Sequence, residues 1–460
     1  MLFRSNPLKT FQRALGRHKV LTSPEDLLTY SYDVSSERST PEMVVLAEAA
    51  DDIIQSVKFA RDEGYRITPR GGGTGMSGGS VPLRQGMVLC TERMNDILGI
   101  DEENKTALVE PGVITATVQD EAAKVGLFYP PDPSSHKISS IGGNVAENAG
   151  GLRCVKYGTT KHYVQGLEFV SARGELCYTG ILDSKNSIPD LTPLLVGSEG
   201  TLGIITKISL RLIDTPEARG TLRIFFTSMD YASNSVAEIM AAGILPSVCE
   251  LMDKAVLDAI TAYTGTQLPN NTEALLLIEV DGNREEIKGR VAEIESICNN
   301  RQAIEIASTE NLEEAEQLWT LRRSISPSLS RLASGKMNED VSVPRSRIPD
   351  LLNEVRRISQ RYDLPIPCYG HAGDGNIHVN VMYDADDTLQ HQRSLQAIEE
   401  VFKEVVRLDG SLSGEHGIGI VKREFMRLQM ESAELDTLRK IKESFDPDGI
   451  FNPGKIIPEG

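Results

Sequence analysis

Pro69-Arg70-Gly71-Gly72-Gly73-Thr74-Gly75-Met76-Ser77-Gly78-Gly79 is the stretch on which the fold assignment turns. It holds a literal G-x-G-x-x-G at Gly73, Gly75 and Gly78. In a Rossmann unit that pattern must open a helix, because the diphosphate is bound at the helix N-terminus. Here the run leads to Ser80-Val81-Pro82 and then to a predicted strand over 86–91. The context therefore argues against a Rossmann unit. The run still suits a diphosphate, since consecutive small residues expose backbone N–H groups that form an anion-binding nest.

Two further runs have the same character. One is Pro130-Pro131-Asp132-Pro133-Ser134-Ser135-His136 followed by the small-residue stretch 139–151, which includes Ser140, Gly143, Asn144 and Gly150. The other is Gly197-Ser198-Glu199-Gly200-Thr201-Leu202-Gly203-Ile204-Ile205-Thr206. A single run of this kind fits a tight turn. Three within about 140 residues favour one extended ligand such as a dinucleotide.

Outward from these runs the pattern is mixed α+β. Strands are expected at 42–49, 65–68, 86–91, 106–110, 166–171 and 203–213. Ile53, Ile54, Val57 and Ala60 recur at helical spacing and predict a helix over 51–63. Another is expected at 115–125, stopped near Gly126. Composition changes after about residue 215. A strand at 221–226, a helix at 230–243, a strand at 275–280 and a helix at 284–299 suggest a ferredoxin-like module. Helices at 311–334, 349–361 and 390–408 follow, and the tail is turn-rich.

The chemistry gathers in two late stretches, Cys368-Tyr369-Gly370-His371-Ala372-Gly373-Asp374-Gly375-Asn376-Ile377-His378-Val379-Asn380 and Ser413-Gly414-Glu415-His416-Gly417-Ile418-Gly419. Either alone fits a glycine-rich turn with structural histidines. Together they offer two imidazoles and a carboxylate, His371, His378 and Glu415, a common ligand set for a divalent metal. His416 remains as a base able to take a proton near neutral pH. His378 and Asn380, two apart in a β-like run, face one side.

Bulk properties narrow the class. A chain of 460 residues should hold two or three domains, and its 40% hydrophobic and 25% charged content is ordinary for a globular protein. A formal net charge of −18 argues against a nucleic-acid partner. The six cysteines, at 90, 154, 177, 249, 298 and 368, show no C-x-x-C spacing, which argues against an in-chain iron–sulfur cluster and fits a reducing compartment. Residues 1–20 are basic without an apolar core. They read as a short surface helix, a pattern that also fits a weak mitochondrial-type presequence. No apolar run approaches the length of a membrane span.

Taken together, the Pro-Arg-Gly-Gly-Gly-Thr-Gly run, the stretch from Ser140 to Gly151, Gly-Ser-Glu-Gly-Thr-Leu-Gly, the two His/Glu stretches and the terminal Asn452-Pro453-Gly454-Lys455 resemble the FAD-linked 2-hydroxyacid dehydrogenases. These have the vanillyl-alcohol-oxidase fold, with a p-cresol-methylhydroxylase-type (PCMH-type) FAD-binding domain. The most similar groups are the flavin subunit of glycolate oxidase, D-lactate dehydrogenase and D-2-hydroxyglutarate dehydrogenase. The resemblance implies an FAD domain over 1–215, a cap domain for substrate and metal over 216–420, and a segment at 421–460 that returns to the FAD domain. It implies FAD contacts at Pro69, Arg70, Gly71, Gly72, Gly73, Thr74, Gly75, Pro131, Ser134, Ser140, Gly143, Asn144, Gly150, Gly200, Ile205 and Asn452. The loop at 70–75 offers neither His nor Cys, so the flavin is expected to be non-covalent.

On the substrate side the resemblance makes Arg322 the carboxylate clamp, with Ser326 four residues on along the same helical face, Lys336 as a second cation and Asn380 as a hydrogen-bonding residue. Lys336 lies one residue closer to Arg322 than in hydroxyglutarate relatives, which weakens any claim to a distal carboxylate. The implied reaction is oxidation of a D-2-hydroxyacid, D-lactate or glycolate first. His416 is the base, and zinc, manganese or iron is the metal. The expected electron acceptor is external: an iron–sulfur subunit, an electron-transfer flavoprotein, a cytochrome or a quinone. A homodimer in the cytoplasm, peripheral to the inner membrane through that acceptor, completes the expectation. Competing readings are a D-2-hydroxyglutarate dehydrogenase, an oxygen-using oxidase, an alkyldihydroxyacetonephosphate synthase and a non-catalytic flavin subunit. The synthase would call for a more basic cap, and the intact His/Glu set argues against the non-catalytic subunit.

Overall fold

The computed structural model describes residues 7–83, 86–183 and 189–459. The chain divides into two compact units. One comprises Met1–Gly151, Thr159–Thr215 and Glu415–Gly460, and the other Leu152–Gly158 and Pro216–Gly414. The returning segment thus begins at Glu415 rather than at 421, and residues 152–158 join the second unit. The basic N-terminal stretch carries a helix, Pro7–Leu15, which buries Phe11 and Leu15; the expectation for residues 1–6 lies outside the described residues.

The first unit holds two main sheets. In the smaller, Val20–Leu21, Met43–Leu46, Met87–Cys90 and Ile67–Arg70 lie side by side in that order. Met43–Leu46 and Ile67–Arg70 both run parallel to Met87–Cys90. Helix Ala50–Glu63 lays Ile53, Val57 and Ala60 against Met43, Val45, Met87 and Leu89 of this sheet. It ends at Gly64 in the left-handed conformation, φ 79°. The second sheet is antiparallel, ordered Ile97–Asp101, Thr106–Val109, Ile204–Arg211, Val164–Val170, Leu176–Tyr178. No described residue between Arg70 and Met87 is helical, as the argument against a Rossmann unit required. The C-terminal segment does return: Phe451 bridges Ile67, and Ile450 and Phe451 enter the same core.

The second unit is one seven-stranded sheet, ordered Ala303–Thr309, Ala218–Phe226, Ala274–Gly282, Val248–Asp253, Cys368–His371, Asn376–Tyr383, Gly335–Ser342. Neighbours are all antiparallel. Numbered along the chain, its first four strands have the order 4-1-3-2, the ferredoxin-like arrangement, with helices Met229–Ala241 and Arg284–Asn300 as two of the crossovers. Strand Val248–Asp253, the second of these four, and helix Lys254–Thr264 are elements that the sequence pattern did not suggest. The helix expected over 311–334 is three short ones, Leu312–Leu318, Thr320–Arg323 and Ile325–Leu332. Pro327 explains the break at Ser324, because its ring collides with the carbonyl four residues back in a continuous helix. Arg322 and Ser326 therefore lie on two successive short helices, Thr320–Arg323 and Ile325–Leu332.

Candidate active site

In the first unit the three glycine-rich runs converge. A Cβ on Gly71 would overlap Ser140 Oγ, and one on Gly72 would lie 2.5 Å from the Ile138 carbonyl oxygen. Only glycine lets these backbones meet. Ser140 caps helix Ile141–Glu147, its Oγ accepting from Gly143 N at 3.2 Å. Asn144 is buried and donates through Nδ2 to Thr115 Oγ1 at 2.7 Å. The third run joins through Gly197 N to Val145 O at 2.9 Å and Glu199 N to Ala146 O at 2.8 Å. Gly200 lies against Pro69, where a Cβ would be 2.8 Å from its ring. Asn452 ties the group together, Nδ2 donating to Gly79 O at 2.8 Å and to Glu199 O at 2.7 Å.

Arg70 shapes the loop from beneath. Its guanidinium fills the space a Cβ on Gly73 would need, donates to Tyr32 O at 2.7 Å and lies 5.6 Å from the Tyr30 ring centroid. Pro131, Gly150 and Ile205 are buried, whereas Ser134 is exposed. A cavity of about 430 Å³ borders the loop between Gly72, Gly112 and Ser140. Arg70 Nε, Ser77 Oγ, Asn452 Oδ1 and Asp33 Oδ2 are buried without a protein partner among the described residues. Buried polar atoms rarely stay unsatisfied; Arg70 Nε and Ser77 Oγ are donors, and with the bare backbone of the loop they fit a diphosphate-bearing cofactor.

In the second unit the organising residue is Glu250, central in strand Val248–Asp253 and 1% exposed. Its carboxylate accepts from Arg322 Nε at 2.6 Å and bonds His371 Nδ1, directly across the strand pair. Burial opposes its ionisation, but the charges and hydrogen bonds of His371 and Arg322 prevail and hold it down to about 2. The Arg322 guanidinium lies 5.0 Å from the Tyr369 ring centroid. His378 stands edge-on to His371 at 5.3 Å between ring centroids, and each offers a ring nitrogen within 4.8 Å of the other's. With Nδ1 of His371 engaged by Glu250, Nε2 is the nitrogen that would serve as a ligand, the carboxylate–histidine arrangement typical of metal sites.

The turn between these two histidine strands needs Gly375, φ +88°, where a Cβ would overlap the Val343 carbonyl oxygen. Asn380, two residues beyond His378, is fully buried. Its Nδ2 faces the carbonyls of Pro367 and His378, at 3.3 and 3.2 Å, and Oδ1 is a buried acceptor without a partner among the described residues. Asp340, in register with His378, accepts from Gly414 N at 2.8 Å. Glu415 is the next residue along, so this bond fixes the chain one peptide before the third predicted ligand. Lys336, opposite Met382, and Ser326 are exposed. His416 is half-buried, at the start of the segment that belongs to the first unit.

Glu250 is the residue that the sequence reading missed. Its signal was a single acid inside Val248-Cys249-Glu250-Leu251-Met252. A charge in an apolar strand is buried only with a partner, so it should have prompted a search for one.

The family model described as "FAD linked oxidases, C-terminal domain" matches residues 215–456, and "FAD binding domain" matches 41–180. Glycolate oxidase subunit GlcD of Bacillus subtilis is 41% identical, covering 94% of this chain and 92% of the relative. D-lactate dehydrogenase of Anaerostipes hadrus is 31% identical, covering 91% and 90%. Among solved structures, p-cresol methylhydroxylase superposes with a TM-score of 0.81 over 98% of this chain and 96% of its own, at 18% identity, a likeness of fold. With a family match over more than half its length, a binding domain that names the cofactor and a cradle that fits it, the chain belongs to the FAD-linked oxidases and is an FAD-dependent oxidoreductase.

Proposed function

We propose that this protein oxidises a D-2-hydroxyacid, with D-lactate or glycolate the first candidates, to the 2-oxoacid and passes the electrons to an external acceptor. The observation that carries the reading is Glu250, which locks a carboxylate-binding arginine and a metal-type histidine into one buried network. Arg322 would clamp the substrate carboxylate through its planar fork. Asn380 Oδ1 would accept from the 2-hydroxyl, a role open to an oxygen without a partner among the described residues, its amide nitrogen being already committed. His416 would take the hydroxyl proton as the α-hydrogen departs with its electron pair and the C–O bond becomes C=O. His371, His378 and Glu415 would hold zinc, manganese or iron, whose Lewis acidity lowers the pKa of a bound hydroxyl. Non-covalent FAD, held by residues 69–75, 131–150, 200–205 and 452, supplies the hydride acceptor. Ser326 and Lys336 would meet the far end of the substrate.

That the Bacillus subtilis relative is a glycolate oxidase subunit supports an acceptor carried by another chain, whether iron–sulfur protein, electron-transfer flavoprotein, cytochrome or quinone-linked. No helix among the described residues is long and apolar enough to cross a membrane. The protein would work in the cytoplasm and meet the inner membrane through such a partner. The test is turnover with an artificial dye acceptor and trapping of the product. One D-acid should yield a 2-oxoacid in step with dye bleaching. No 2-oxoacid from any member of a panel spanning glycolate, lactate, 2-hydroxyglutarate and aromatic hydroxyacids, in both configurations, would overturn the reading.

A further inference from the structure

Glu199 has no role in the account so far, yet its backbone and side chain are both unusual. Its φ is +50°, a left-handed conformation that strains a non-glycine residue. Glycine would take the same turn without strain. The side chain is also buried, only 5% exposed. An acid kept in a strained, buried position has a task for its carboxylate, and the contacts show one. Oε1 accepts from Ile418 N at 2.7 Å and Oε2 from Gly419 N at 2.8 Å. Both amides lie in the turn that directly follows His416.

The rest of that turn is packed without slack. Ile420 N donates to Ser77 O at 2.8 Å. Gly417 has φ +82°, and a Cβ there would run into the carboxylates of Glu147 and Glu199. Gly419 has φ +51°, and a Cβ would overlap the Ser77 carbonyl. Burial disfavours the ionised carboxylate, while the two amide bonds and the Lys455 and Lys422 ammonium groups favour it. In its ionised form the carboxylate receives two charge-assisted bonds, which are stronger than neutral ones.

We propose that Glu199 is a positioning residue for the oxidation, clamping the 417–419 turn so that His416 presents its imidazole where the substrate proton is removed. The inference rests on the reading of His416 as the base. It adds the claim that Glu199 acts through that imidazole rather than through the flavin.

The experiment is a double-mutant cycle on the flavin-loaded enzyme, read as the rate of anaerobic flavin reduction at saturating substrate. Glu199→Gly suits the backbone and removes the clamp; Glu199→Gln keeps the shape and one acceptor oxygen. Flavin absorbance after desalting reports whether each variant still holds FAD. Glu199→Gly should slow reduction by about 100-fold with KM changed little, as expected for a misplaced catalytic group, and Glu199→Gln should fall between it and the parent. His416→Asn should cost 100-fold or more, on the order of a lost general base. The double variant should be no slower than His416→Asn alone, because residues acting as one unit are not additive. Multiplying losses would overturn the proposal, as would a flavin-loaded Glu199→Gly or Glu199→Gln enzyme at the parent rate, while His416→Asn is still slow. Full activity in His416→Asn would instead sink the base reading itself, and the proposal with it.

Discussion

Glu250 receives an arginine and a histidine at once, and the removal of its charge should be felt twice. In Glu250→Gln the Arg322 guanidinium loses its buried counter-charge, a change that typically costs about 3 kcal/mol. The His371 ring loses the acceptor that fixes its orientation, and loss of such outer partners weakens metal affinity about 10–100-fold. We expect a lower urea midpoint together with weaker metal retention on dialysis. An unchanged midpoint would show that the network is not holding the sheet together. Arg322→Lys keeps the charge but loses the fork, so KM for the hydroxyacid should rise about 10–100-fold, while dye-linked kcat falls less.

Glu199 gives a pH signature of its own. Burial raises its pKa from 4.5 to about 7, despite the amide bonds to Ile418 and Gly419 and the nearby Lys455 and Lys422. Across that window the folded protein holds a proton the unfolded chain has lost, so this group's contribution to stability falls as pH rises. Glu199→Gln does not titrate. The melting temperature of the variant relative to the parent should therefore climb between about pH 5 and about pH 8. A pH-independent difference would contradict the assignment.

At the scale of elements, the histidine strands depend on the turn that joins them. Gly375 has φ +88° and meets a backbone carbonyl, which cannot swing aside as a side chain could. Gly375→Ala should cost about 1–3 kcal/mol, as overpacking does, and should spoil metal binding, read by denaturant melts and metal analysis. This scale also shows what the sequence could carry. Helix Ala50–Glu63 was legible because Ile53, Val57 and Ala60 repeat at helical spacing and all face the core. The glycine-rich runs were legible because so many positions tolerate no Cβ. Strand Val248–Asp253 was not, because Glu250 interrupts its apolar run and its partners come from residues 277, 322 and 371, far away in the chain. The break at Ser324 was legible in Pro327, which the expectation of a helix over 311–334 left out of account.

At the scale of the molecule, the division into units was legible only as a composition change near 215. The excursion of residues 152–158 into the second unit was invisible, since it rests on Lys156 and Tyr157 bonding Asp281, more than 120 positions on. Such pairings exist only once the sheet has formed. The first unit builds its cradle from loops at both ends of the chain, tied by Asn452. FAD should therefore stabilise the fold by mass action, about 3–4 kcal/mol at 100–1,000 times its dissociation constant. Calorimetry of flavin-stripped protein should show a transition several degrees lower, restored by added FAD. Equal transitions would mean that the cradle does not close on the cofactor.

The most direct test of the central claim is anaerobic bleaching of the flavin absorbance by D- and L-2-hydroxyacids, before and after chelation with EDTA. Rapid bleaching by one D-acid (or by achiral glycolate), lost on chelation and restored by zinc, manganese or iron, is the expected outcome. A yellow protein that no hydroxyacid bleaches, or one bleached equally well after the metal is stripped, would contradict it.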